Sequence, residues 1–204
     1  MPPRLSRRFF ARPTLRVARE LLGCRLVRRC DGRRLSGVIV EAEAYIGAAD
    51  QACHCRRGRT PRTEVMFGRA GVAYVYFTYG MHWMFNIVTE CEGFPAAVLI
   101  RALAPVEGID RMQTHRRQTA LKQLCSGPAK LTQALRIDGQ HHGVDLCARG
   151  GDIWLEAGAP LDPRRRGTPV RVGRSARIGV DFAPEPWRSQ PWRFYVHGNP
   201  FVSK

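Results

Sequence analysis

The chain has 204 residues, 44% of them hydrophobic, and its 33 Lys and Arg against 17 Asp and Glu leave a net charge of +16. That length suits one domain that buries roughly 70% of the surface exposed by its unfolded chain, with no need of disulfide or metal staples. The charge excess points to a polyanionic partner, because Lys and Arg displace condensed counterions from phosphate backbones. MPPRLSRRFFARP, at the start, is basic but lacks the apolar stretch of a secretory signal, and no apolar run is long enough to span a bilayer. Cysteines at 24, 30, 53, 55, 91, 125 and 147 form an odd set without CxxC spacing, which fits a reducing, cytoplasmic compartment. The CHC triplet at 53–55 has no second ligand pair at zinc-site spacing, so no metal is expected.

Residues 1–13 are expected as a frayed basic arm ahead of a domain over 14–204. Thr14 is placed to cap a helix running to Leu22, with Leu15, Ala18, Leu21 and Leu22 on one side and Gly23 as its stop. CRLVRRC, Asp31-Gly32 and RRLSGVIVEAEAYIG then predict a hairpin, since that dipeptide tolerates the positive φ of a tight turn. A loop rich in Arg and Gly covers 47 to about 70, and strands are predicted at 72–79, 83–89 and 96–103. Helical pattern dominates 107–136, broken at CSGPAKL, where Ser126 is placed to cap and Pro128 to sit in a first turn. Short strands at DIWLEA and RFYVHG flank a Pro/Arg loop at 160–169. Hairpin-linked strands with helices around them make the fold class α+β.

Alternate residues of a strand face opposite sides, which divides VIVEAEAYI in two. Val38, Val40, Ala42, Ala44 and Ile46 take an apolar face suited to the core, leaving Ile39, Glu41, Glu43 and Tyr45 on the other. Two carboxylates beside an aromatic ring, on a strand backed by core, suit an active-site floor, or else a plain solvent-facing strand. Spacing does not separate Glu41 from Glu43. In YVYFTYGM, Tyr74 and Tyr76 share a face while Tyr79 breaks the register beside Gly80. Rings on a sheet either pack as core or stack on bases, and a ring at a hairpin tip can wedge between bases. Arg56, Arg57, Arg59 and Arg62 crowd the loop after the glutamate strand, where phosphate contact is their natural use and a plain solvated loop the alternative.

EAEAYIG, His54 nine residues after its Tyr, GRTPR, MFG, YVYFTYGMHWMFN, VLIRALAPVEG, LCSGPAKL, ARIGV and RFYVHG appear in order from about residue 14 onward. Together they resemble the alkyladenine (3-methyladenine) DNA glycosylase family. The resemblance implies a single domain built on a curved, mainly antiparallel sheet with surrounding helices. It implies excision of damaged purines (3-methyladenine, 7-methylguanine, hypoxanthine or ethenoadenine) from double-stranded DNA by base flipping, with no cofactor. The chain is expected to be a monomer without an obligate protein partner. Glu43 matches the general base for the attacking water; Arg101 and the carbonyl of Ile178 match groups that hold that water. Tyr45, His54 and Tyr76 match the pocket around the flipped base, and Asn86 matches a residue that crowds the 2-amino group of guanine. Tyr79 matches the wedge that replaces the flipped nucleotide. Met81, His82, Thr60, Arg62 and Lys130 match positions near the DNA backbone. The cysteines beside His54, and His82 where some members carry Tyr, depart from the pattern.

Hydrolysis of an N-glycosidic bond passes through an oxocarbenium-like sugar, and one carboxylate can both deprotonate water and stabilise that charge. A base alkylated at N3 or N7 is already cationic and leaves readily. A neutral base needs a proton, from His54 or from an ordered water. A non-catalytic nucleic-acid module would use the same basic surface and tyrosines. A lyase activity needs an amine nucleophile, and residues 37–103 hold no lysine.

Overall fold

The computed structural model describes residues 2–158 and 171–203, so the expected Pro/Arg loop at 160–169 lies outside them. Helices α1 (Arg7–Phe10) and α2 (Thr14–Glu20) precede strands β1 (Arg25–Cys30) and β2 (Arg33–Ile46). Strands β3 (Ala73–Thr78), β4 (His82–Val88) and β5 (Ala96–Glu107) follow, then helices α3 (Ile109–Arg116), α4 (Leu121–Leu124) and α5 (Pro128–Leu135). The short strands β6 (Ile153–Glu156), β7 (Val172–Ser175) and β8 (Arg193–Val196) come last. Among the described residues the strands form one antiparallel sheet in the order β3-β4-β5-β2-β1-β6. β8 takes over from β1 along the second half of β2 and carries β7 at its far side, which curls the sheet. This is the expected α+β fold. No helix of the described residues is long and apolar enough to cross a membrane.

Register explains how distant residues meet. Tyr74 opposes Asn86, Asn86 opposes Leu99, and Leu99 opposes Glu43. Directly opposed residues in an antiparallel ladder share a face. One row of side chains therefore joins β3, β4, β5 and β2. Irregularities between Ile39 and Ala42 add Val40 on β2 and Arg101 on β5. Such bulges re-aim side chains. Ile39, assigned by strict alternation to the glutamate face, is instead fully buried in the main core.

Two tight turns hold the hairpins. Asp31 and Gly32 have φ of 50° and 71°, as their dipeptide predicts. At the other turn, Tyr79 and Gly80 have φ of 52° and 66°, closed by the Met81 amide on the Thr78 carbonyl at 3.2 Å. Glycine adopts that conformation freely, whereas it costs an L-tyrosine about 1–2 kcal/mol.

Several boundaries differ from the sequence pattern. α2 stops at Glu20, and Pro13, not Thr14, occupies its cap position. The Thr14 hydroxyl reaches Glu90 at 2.8 Å and Thr89 at 2.9 Å instead. Gly127 stands at the cap of α5 with Pro128 in its first turn, while Ser126 bridges to Ala102 on β5. The first residues lie against the domain: Phe10 is buried in the core, and the Arg7 guanidinium donates to Asp145 at 2.6 Å. An apolar FF pair inside a basic segment is what anchors it.

Candidate active site

A cavity of about 390 Å³ opens on the face that carries the Tyr74–Asn86–Leu99–Glu43 row. Tyr45 from β2, Tyr74 and Tyr76 from β3, Asn86 from β4 and Arg101 from β5 line it. His54, on a 3-10 turn over His54–Arg57, closes one side. Ile178 and Phe182, on the loop after β7, close another, and Tyr79 stands at the hairpin tip with 79% of its surface exposed. His54 packs edge-on to Tyr76 with ring centroids 4.6 Å apart, and its Nδ1 lies 2.8 Å from the Tyr74 hydroxyl. Burial, reinforced by the charges of Arg62 and Arg56, lowers the His54 pKa to about 4. His54 is therefore neutral at neutral pH and holds no imidazolium proton to give.

Glu41 and Glu43 are both fully buried, which removes the reading of a solvent-facing strand. Their surroundings differ. Glu41 accepts four hydrogen bonds: Arg101 Nε at 2.9 Å, Arg193 Nε at 2.7 Å, Ser203 Oγ at 2.8 Å and the Ser203 amide at 2.7 Å. Glu43 accepts three, from the Ile178 amide at 2.7 Å, Tyr45 Oη at 2.9 Å and Arg101 Nη1 at 3.2 Å. Three of the four bonds to Glu41 fall on Oε1, whereas Glu43 takes two on Oε2 and one on Oε1, which leaves that oxygen a free acceptor position. Each of the three groups bonded to Glu43 lines the cavity, so its carboxylate sits one hydrogen bond behind the wall. Burial raises the Glu43 pKa against the opposing pull of Arg101, the Ile178 amide and Tyr45. A carboxylate whose proton affinity is raised is a stronger base.

The chain resembles known proteins over nearly its whole length. Residues 8–200 match the family described as Methylpurine-DNA glycosylase. The chain belongs to that family. A relative from Carboxydothermus hydrogenoformans is 48% identical over 98% of this chain and 98% of its own length. Relatives from Methanocella arvoryzae and Myxococcus xanthus are 46% and 47% identical over 99% and 98% of this chain, covering 96% and 93% of their own lengths. All three carry the provisional name of 3-methyladenine DNA glycosylase.

Of the positions that the glycosylase motifs single out, Tyr45, His54, Tyr76, Tyr79, Asn86, Arg101 and Ile178 meet around one cavity. The Ile178 amide N–H donates to Glu43 at 2.7 Å. Asn86 is buried, and its Nδ2 donates to the Tyr74 carbonyl at 3.0 Å. Met81 and His82 are exposed beside the Tyr79 tip. Arg62 is exposed and lies over the Tyr76 ring at 4.9 Å. Arg56 lies over Phe182 at 5.1 Å, and Arg59 pairs with Glu64 at 2.9 Å. Thr60 bonds Thr63 at 2.9 Å within its own turn, and Lys130 bonds Gln123 at 2.8 Å. Neither Thr60 nor Lys130 lines the cavity.

Two further supports hold the site. The Tyr74 hydroxyl fixes His54. Arg177 makes a bidentate ion pair with Asp50, both fully buried, and stacks behind Tyr45 at 4.7 Å. It also ties down the backbone beside Ile178. Its adjacency to that residue in ARIGV was the available signal.

Proposed function

We propose that the chain is a monofunctional DNA glycosylase that flips damaged purines from duplex DNA and hydrolyses their N-glycosidic bond. The observation that carries this reading is the contrast between the two buried glutamates. Glu43 is held by three groups that all line the aromatic cavity, Tyr45, Arg101 and Ile178, whereas Arg193 and Ser203, which hold Glu41, do not line it. In the reaction, water gives its proton to Glu43 and its oxygen bonds to C1′ of the sugar. The C1′–N bond breaks, and its electron pair leaves with the base. Raised proton affinity at Glu43 favours the first step. Bases alkylated at N3 or N7 leave without a proton. Neutral hypoxanthine or ethenoadenine takes one from solvent, since His54 is neutral at working pH.

Tyr45, Tyr76 and His54 hold the flipped base, and Asn86 restricts the space for a 2-amino group. Tyr79 fills the gap left in the duplex; its exposure at the hairpin tip suits that task. Met81, His82, Thr60, Arg62 and Lys130 contact the sugar-phosphate backbone, which the +16 charge favours. Among the described residues no lysine lines the cavity, which supports hydrolysis without strand cleavage. The test is incubation with duplexes carrying 3-methyladenine-type, hypoxanthine and ethenoadenine lesions. Free base should appear, with strand breaks only after alkali. Binding without base release would mark a non-catalytic module, and alkali-independent breaks would mark a lyase.

A further inference from the structure

The carboxylate next to the proposed base has contacts that its own strand does not require. Arg101 is shared: its Nε lies 2.9 Å from Glu41 and its Nη1 3.2 Å from Glu43. Arg193 reaches Glu41 from β8 at 2.7 Å. Ser203 closes on Glu41 with both its amide and its hydroxyl, and Arg193 Nη2 in turn holds the Ser203 carbonyl at 3.4 Å. Two carboxylates and two guanidiniums thus form a buried cluster of zero net charge. Opposite charges a few ångströms away lower a carboxyl's pKa, and like charges raise it. Arg101 paired to Glu43 alone would hold that group ionised and weaken it as a base.

We infer that Glu41 is a positioning residue, the counter-charge that takes up Arg101 so that Glu43 keeps the proton affinity needed to activate water. Its value to excision rests on the glycosylase reading above; the charge balance itself does not. The groups facing Glu43 are Tyr45 and Glu41 on β2, Arg101 on β5, Tyr76 on β3 and the Ile178 amide. Arg193 acts through Glu41, and Arg177 lies behind Tyr45. Among them Arg101 and Glu41 act on Glu43 with opposite sign.

The test uses two substitutions whose effects must differ in direction. Glu41→Gln removes the like charge, so Arg101 turns to Glu43 and the carboxyl midpoint falls by about one pH unit or more. Arg193→Gln removes a positive charge from the cluster, so the midpoint rises. Both are read by 13C NMR titration of the Glu-labelled full chain, with Glu43→Gln assigning the resonance. The acid limb of single-turnover hypoxanthine release should move the same way in each variant. A merely structural Glu41 would reduce the active fraction without moving the midpoint. Should Glu41→Gln not fold, Arg193→Gln still decides through the sign of its displacement. Unmoved midpoints, or displacement in one common direction, would overturn the assignment. A wild-type chain that titrates as expected yet releases no base would sink the glycosylase reading and leave the charge balance standing.

Discussion

The Asp50–Arg177 pair joins the β2 end, the loop after β7 and the back of Tyr45, so its loss should be felt as both stability and rate. Its two bonds are 2.6 and 2.9 Å long, and neither side chain is exposed. Asp50→Asn keeps the shape but strands the Arg177 guanidinium without a counter-charge. It also weakens the hold on the Ala52 and Ile46 amides, which donate to the same carboxylate at 3.0 and 3.2 Å. Breaking a buried pair by removing one partner costs about 3–5 kcal/mol. At this chain length each kcal/mol lowers Tm by about 2–4 °C, so a fall of roughly 6–20 °C is expected. Calorimetry of Asp50→Asn, Arg177→Met and the double variant measures it. Because the penalty is a stranded charge, the double variant should recover at least half of the loss. Base release should slow in Asp50→Asn even where the protein is fully folded, since Ile178 holds Glu43 from the adjoining residue. A Tm within about 2 °C of wild type, or single losses that simply add, would refute the reasoning.

Tyr79→Asn should leave Tm unchanged or raised, because Asn accepts the φ of 52° at that turn, while excision from paired lesions falls. A lowered Tm would mean that the ring packs in the fold. Asn86→Ser should gain guanine excision relative to hypoxanthine in single-turnover assays; an unchanged ratio with both rates depressed would show that Asn86 only ties the strands through its bond to the Tyr74 carbonyl. The His54 pKa is lowered to about 4, so the unfolded chain takes up that proton first as pH falls. Stability from neutral His54 is therefore full above the ordinary value of 6.5 and is lost between 6.5 and about 4. His54→Gln should flatten the Tm profile across that window, and an unaltered slope would contradict the shift.

The sheet was legible because hairpins write themselves locally. Asp31-Gly32 and Gly80 mark turns, and alternating β-branched and aromatic residues mark the strands between them. β7, a short strand containing a glycine, carries no such pattern. Strict alternation also failed at Ile39, because the extra residues at Val40 and Arg101 depend on how β2 and β5 meet. The site was legible as residue types and as a resemblance, not as a geometry. Period two puts Glu41 and Glu43 on one face; what separates them is Ser203, Arg193 and Ile178, donors more than 130 positions away. The support of Tyr45 by Arg177 and Asp50 is likewise long-range: the two charges lie 127 positions apart.

The central claim is that Glu43 activates the water that releases a damaged base. Single-turnover release of free hypoxanthine from duplex DNA, by wild type and by Glu43→Gln, tests it directly, with duplex affinity measured alongside. The exchange keeps the side chain's shape and its place between Tyr45, Arg101 and Ile178, but it removes the proton acceptor. Base release should fall by about 10²-fold or more while affinity stays within about tenfold. Wild-type rates from Glu43→Gln, or no base released by the wild-type chain from any lesion duplex, would contradict it.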